Sequence, residues 1–241
     1  MIKRILKILL WILISVSFIM LTYVVNNDRK DLVIKDFNIE IVDSIRNEFV
    51  LKKDIIRILK NTNGNLKGLR TSNIDRDKIE RKLETHPSID RCEVYILSNS
   101  DLKVRIWQRE PVLRVLSKKG YYIDKHRKVM SLSNNYTKRV MIVTGRVSES
   151  MATGVLFDLC TFIQANDFWN KYIGEIHVNA RNELELVPMI GSFRILLGES
   201  QNFKKKLFKL KCFLDKAQEN KIWGRYKYIN LKYNNQIVCV K

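Results

Sequence analysis

The chain has 241 residues, with 44 Lys+Arg against 25 Asp+Glu, 46% hydrophobic residues, 9 Gly, 3 Pro and 4 Cys. Sparse Gly and Pro exclude collagen-like and proline-rich low-complexity protein. The apolar content excludes global disorder, and so few Cys exclude a disulfide scaffold. The net charge of +19 favours anionic partners such as nucleic acid or lipid headgroups, although the positives are spread along the chain as on a lysine-rich solvated surface.

The first predicted element is apolar throughout. Ile8 to Val25 is an uncharged run of 18 residues, and at about 1.5 Å per residue it spans roughly 27 Å, close to a bilayer core. Lys3, Arg4 and Lys7 precede it and no acidic residue occurs before Asp28. The positive-inside rule therefore keeps the N-terminal tail in the cytoplasm and places everything after Asn26 outside. A cleaved signal peptide needs small residues at its cut site, and no Ala precedes Ala152. The expectation is a single uncleaved anchor over residues 1–30, which removes nucleic acid from the expected partners. Cys92, Cys160, Cys212 and Cys239 are 68, 52 and 27 residues apart and fit no metal motif. Buried free thiols are expected, with a Cys160–Cys212 bridge left open.

Beyond the anchor, two units follow. Phe37, Ile39 and Ile41 alternate as in a strand. Leu51, Ile55, Ile58 and Leu59 share a helical face that Asn63-Gly64 ends. Asp75 is an N-cap, and Ile74 and Ile79 are spaced as a hydrophobic staple for a second helix ended by His86-Pro87. Cys92–Leu97 and Leu102–Trp107 flank a Ser98–Asp101 turn as a hairpin. The predicted order is strand, helix, helix, strand, strand over 31–109. The unit over 110–241 is predicted to hold strands near 112–116, 121–123, 129–132, 140–143, 173–178, 184–187, 193–197, 226–231 and 237–240. One helix starts at Ser148 or Ser150 with Met151, Val155, Leu159, Phe162 and Ile163 inward. Another runs from about Gln201 to Ala217, with Phe203, Leu207, Leu210 and Leu214 inward and lysines outward. The fold class is α+β, with the second unit read as an antiparallel sheet carrying helices on one face.

No chemistry-bearing constellation stands out. His86, His126 and His177 have no partners at metal spacing, no Ser sits in a nucleophile elbow, and no glycines form a phosphate cradle. Glu183 and Glu185 alternate on one strand face, which mimics a carboxylate pair but equally fits a solvated surface. The expectation is no enzyme: no catalytic, cofactor or metal residues and no small-molecule substrate. The functional weight falls on the last strand, because a terminal edge strand offers unpaired backbone groups to a partner.

The residues that carry a family resemblance are Asp75–Leu83 with His86-Pro87-Ser88-Ile89, Leu102-Lys103-Val104-Arg105-Ile106, Gln108-Arg109-Glu110-Pro111, Tyr122-Ile123-Asp124, Thr144-Gly145, Gly191–Gly198 and Ile229–Tyr233. In this order behind an anchor, the chain resembles the bacterial cell-division FtsQ/DivIB family. The resemblance implies a POTRA docking domain over 31–109 and a β domain over 110–241. It also implies a single-pass protein of the inner membrane at the division septum, with its bulk in the periplasm. Such a scaffold recruits FtsB- and FtsL-like partners for septal peptidoglycan synthesis by strand addition at its C-terminal edge. By location, the partner-binding residues would be Tyr233, Asn235, Ile237, Val238, Cys239 and Val240, with Lys204, Lys205 and Lys209 of the basic helix facing the same partner. On this reading Val238→Pro would remove a ladder donor and abolish partner binding. Two positions depart from the family pattern: Leu51 stands at a helix cap that is commonly Ser or Thr, and His126-Arg127 occupy a turn that usually holds Gly. The alternative reading is a membrane-anchored periplasmic enzyme or binding module acting on cell-wall polymers.

Overall fold

The computed structural model describes residues 2–28, 32–42, 48–64, 66–219, 226–233 and 236–241. The chain divides into two units, Met1–Gln108 and Arg109–Lys241. Helix α1 covers Ile2–Asp28. Its described side chains, at 6, 7 and 9–23, are all exposed, so it has apolar residues on every side rather than one core-facing stripe. Among the described residues no helix is long and apolar enough to cross a membrane. The run expected to span, Ile8–Val25, is described only in part, since the side chains of Ile8, Val24 and Val25 lie outside the described ones.

The rest of the first unit follows the expected order: β1 (Phe37–Ile41), α2 (Lys52–Asn63), α3 (Arg76–Glu84), β2 (Ile89–Ile96) and β3 (Leu102–Gln108). The sheet order is β1-β3-β2, with β1 parallel to β3 and β2 antiparallel to it. The local chemistry explains both helix starts. Asp75 accepts a hydrogen bond from Lys78 N–H at 2.9 Å, and Ile74 and Ile79 are both buried beside it, the staple the spacing predicts. At α2, Leu51 offers no side-chain acceptor, and instead its own N–H donates to the Asp54 carboxylate at 3.2 Å. Half of a reciprocal cap thus survives without a Ser or Thr. Ile55, Leu59, Ile79 and Leu83 are buried, as are Val94, Val104 and Ile106 of the strands. The solvent face carries Glu40 between Lys103 and Arg105 at 2.7 and 3.6 Å, with Arg91 4.0 Å above the Trp107 ring.

The second unit contains β4 (Pro111–Val115), β5 (Tyr121–Asp124), β6 (Val129–Ser131), β7 (Met141–Gly145), α4 (Glu149–Thr153), α5 (Val155–Gln164), α6 (Asp167–Tyr172), β8 (Ile173–Val178), β9 (Leu184–Pro188), β10 (Arg194–Gly198), α7 (Phe203–Glu219), β11 (Tyr228–Asn230) and β12 (Val238–Val240). All nine strands form one sheet, ordered β12-β11-β10-β9-β8-β7-β4-β5-β6.

The expectation of an antiparallel sheet is corrected here. The sheet is mixed, with β4–β7, β7–β8 and β10–β11 parallel. Helices α4–α6 cross between β7 and β8, and α7 crosses between β10 and β11. Each crossover returns the chain to the end of the sheet where it started, which makes the two strands parallel.

One face of this sheet packs under Leu156, Leu159 and Ile163 of α5 and Leu207, Leu210 and Leu214 of α7. The helix expected from Ser148 breaks at Gly154 into α4 and α5, and Ser148 does cap it by accepting from Met151 N–H. Helix α6 was not anticipated. Its start is Asn166, whose side chain accepts from Phe168 and Trp169 N–H. Gly145 is fixed by geometry: its φ is +88°, and a Cβ there would lie 2.0 Å from Val178 O. At the β5–β6 turn, buried Asp124 accepts from Arg109 Nη1 at 2.8 Å and from the N–H of His126 and Lys128 at 2.9 and 2.8 Å.

Candidate functional site

Strand β12 ends the sheet and pairs with β11 alone among the described strands. Which of its backbone groups are open follows from the hydrogen bonds of β11. Arg194 N–H donates to Lys227 O and Leu231 N–H to Leu196 O, so by the alternation of a parallel ladder the amide and carbonyl of Ile229 point toward β10. Those of Tyr228 and Asn230 therefore point toward β12, where they face Val240 and Val238. Lys227 N–H also donates to Val240 O at 2.8 Å. Val238 and Val240 thus direct their N–H and C=O inward, and Cys239 directs both outward. By the same period of two, Ile237 and Lys241 share the outward direction. This corrects the expectation for Val238→Pro, because the donor that change removes belongs to the β11 ladder and not to the open edge.

Side chains alternate the other way. Ile237 and Cys239 pack against the hydrophobic core beneath the helices, and burial raises the Cys239 thiol pKa. Val238 is half-buried on the opposite face, and Val240 and Tyr233 are exposed. Asn235 lies outside the described residues.

The basic helix does not act as one surface. Lys209 Nζ donates to Tyr233 O at 2.6 Å and to Gln236 O at 3.1 Å, tying α7 to the segment between β11 and β12. Lys206, expected outward with the other lysines of the helix, is instead half-buried and donates to Leu197 O and Glu199 O at 2.9 and 2.8 Å; burial lowers its pKa. Lys204 sits on the other flank, its ammonium 5.8 Å from the Phe162 ring centroid. Lys205 is exposed. Of the three lysines, Lys209 is the one that bonds the segment leading into β12.

The carboxylates that mimic a catalytic pair are engaged by cations and an amide. Glu183 lies 2.6 Å from Lys232 Nζ and Glu185 lies 3.1 Å from Arg194 Nη1, with Asn179 Nδ2 donating to both. The Lys232 hydrogen bond, followed by that of Asn179, pulls the Glu183 pKa down, so Glu183 is a poor proton donor near neutral pH. His177 Nδ1 is 2.8 Å from Thr144 Oγ1, which also donates to Glu175. Among the described residues no three His, Cys, Asp or Glu side chains converge to hold a metal ion. All four cysteines are free, so the Cys160–Cys212 bridge left open by the sequence does not form. Cys160 is fully buried in the core and Cys212 is exposed on α7. Burial raises the pKa of both Cys92, to about 12, and Cys160, which keeps these thiols protonated and unreactive.

A βααββ unit followed by a mixed sheet with helices on one face defines a two-domain class, a POTRA-like module joined to a β domain. Comparison with known families agrees: residues 32–107 match the POTRA-like domain and residues 110–240 match FtsQ/DivIB, C-terminal related. The chain belongs to the FtsQ/DivIB family, whose members are cell-division proteins and non-enzymatic scaffolds. No curated protein matches it closely enough to be counted.

Proposed function

We propose that this protein is a membrane-anchored division scaffold that recruits FtsB- and FtsL-like partners for septal peptidoglycan synthesis by accepting a partner strand along β12. The observation that carries this reading is the outward pair of backbone groups on Cys239 at the end of a nine-stranded sheet. Strand addition supplies main-chain hydrogen bonds worth about 0.5 to 1.5 kcal/mol each, and side-chain pockets add selectivity. Tyr233, Val238 and Val240 supply apolar contacts on the solvent side of that edge, and Lys209 fixes the segment that leads into it. Anchoring by α1 has separate support. Its described side chains expose apolar residues all round, and its Ser15 and Thr22 hydroxyls bond back to Trp11 O and Phe18 O, as polar groups in hydrocarbon must.

The direction of the backbone groups selects the test. Cys239→Pro deletes an outward donor at a position where an edge strand tolerates proline, whereas Cys239→Ala keeps the donor. In the detergent-solubilised full chain, Cys239→Pro is expected to weaken binding of an FtsB-like partner at least about tenfold, equivalent to about 1.4 kcal/mol. Cys239→Ala is expected to bind normally. Equal affinity of Cys239→Pro and the parent chain would remove strand addition at β12 from consideration.

A further inference from the structure

The second unit has another concave feature, far along the sheet from β12. A cleft of about 990 Å³ opens where β4, β7 and β8 begin. Strand β8, the nearest of the three, is four positions from β12 in the sheet order, roughly 19 Å at about 4.8 Å per strand. The floor is apolar, with Val112, Met141, Ile173 and Met189 among its lining residues. The charged lining is one-sided: Lys125, Lys138, Arg139 and Lys171 against Glu110 alone. Glu110 is shared by Lys138 at 3.5 Å and Lys125 at 4.0 Å. Arg139 and Lys171 are both exposed, and neither meets a carboxylate among the described residues. Beside the cleft, the β9–β10 turn presents Ile190 at 83% exposure next to Met189 at 50%.

These observations restrict the occupant. Like charges around a concave, low-dielectric floor focus a positive potential into it, so the ligand is anionic. A fully hydrated polyanion gains nothing from an apolar floor and an apolar lip, and a flat bilayer does not follow a concave surface. An extended chain with carboxylates on one side and aliphatic side chains on the other satisfies both halves. We infer that this cleft docks an acidic, partly aliphatic peptide segment of a partner protein. Its carboxylates would meet Arg139 and Lys171, and its aliphatic groups Met189 and the half-buried Val112. The site does not depend on strand addition at β12.

The probe is a fluorescein-labelled peptide of alternating Glu and Leu, titrated against the full chain in detergent and followed by anisotropy. The Arg139→Glu/Lys171→Glu chain is expected to bind it at least tenfold more weakly. Lys118→Glu/Lys119→Glu makes the same charge change at the far end of β4 and is expected to bind as the parent does. Met189→Ser is expected to weaken binding without changing its salt dependence. Three results would overturn the inference. The first is equal loss in both double variants, which signals general charge attraction. The second is undiminished binding of a Gln/Leu peptide. The third is a parent chain that ignores the acidic peptide but binds phosphatidylglycerol vesicles through Arg139 and Lys171, which makes the cleft a membrane contact.

Discussion

At the scale of single residues, polar groups in this protein explain turns that the sequence pattern alone leaves unaccounted for. Arg127 occupies the turn position where glycine is usual, with φ +60°, a conformation that costs a non-glycine residue about 1 kcal/mol. It is held there by Thr153 O at 3.0 Å, Asp158 at 2.6 Å and the Phe157 ring 4.4 Å beneath its guanidinium. His86 is a second case. It follows Thr85, the C-cap of α3, and its Nδ1 accepts from Ser88 N–H at 3.2 Å. Burial lowers its pKa, and the Asp54 charge opposes that only in part. Protonation of Nδ1 would also break the Ser88 bond. An unfolded histidine titrates near 6.5, so below that pH the unfolded chain binds more protons than the folded one. The stability this histidine lends is therefore complete above about pH 6.5 and declines as the pH falls below it. Amides of Ile89–Ile96 should exchange faster at about pH 5.5 than at about pH 7.5 once intrinsic rates are divided out. In His86→Gln that difference should shrink. An unchanged difference would show that His86 is not its source.

At the scale of elements, the two sheets treat their edges differently. Strand β2 ends the first sheet, yet Glu84 accepts from Cys92 N–H at 3.1 Å and Glu80 from Val94 N–H at 2.6 Å. Two carboxylates one helical turn apart on α3 thus occupy donors that another strand would use, a device that blocks edge-to-edge pairing. No comparable cap covers the outward amide of Cys239 among the described residues. Glu80→Ala/Glu84→Ala should cost about 1 to 3 kcal/mol per lost bond, because the amides left without a partner belong to the buried residues Cys92 and Val94. The same change should make the full chain self-associate with rising concentration, measured by sedimentation in detergent. A variant as monomeric as the parent would show that the two carboxylates do not guard this edge. The contrast also marks how far the sequence was legible. Alternation and helical spacing located the strands, α2, α3 and α7, because each buries one face. Pairing depends on which end of the sheet a crossover returns to, and no local pattern records that, so the parallel pairs were missed. Nothing in the sequence marks Glu80 and Glu84 as partners of β2, because those bonds depend on where the strand packs. Helix α6, only 6 residues long, is too short to display a period. The last strand was legible as an edge, but the inward direction of Val238 N–H and the turn-holding role of Lys209 required the register with β11.

At the scale of the whole molecule, charge and apolarity are segregated along the chain. Lys3, Arg4 and Lys7 stand before an uncharged run of 18 residues, and most of the net +19 lies beyond it. A free helix such as α1, with Leu9, Trp11, Phe18 and Tyr23 all exposed, is unfavourable in water: each apolar side chain moved out of water gains about 1.5 to 3 kcal/mol. Summed over such residues, this gain exceeds the attraction of surface lysines for anionic lipid, about 1 kcal/mol per charge and screened by salt. The two modes of attachment therefore predict different behaviour. If α1 spans the bilayer, the full chain stays with the membrane through high salt and alkaline carbonate, whereas a chain beginning at residue 32 is released by salt alone. With Lys3, Arg4 and Lys7 on one side of the uncharged run at 8–25, the positive-inside rule further requires a reporter fused at Lys241 to be active only outside the cytoplasm. Carbonate release of the full chain would reduce α1 to a surface contact. A cytoplasmically active reporter would instead reverse the topology and place both the β12 edge and the basic cleft before a different set of partners.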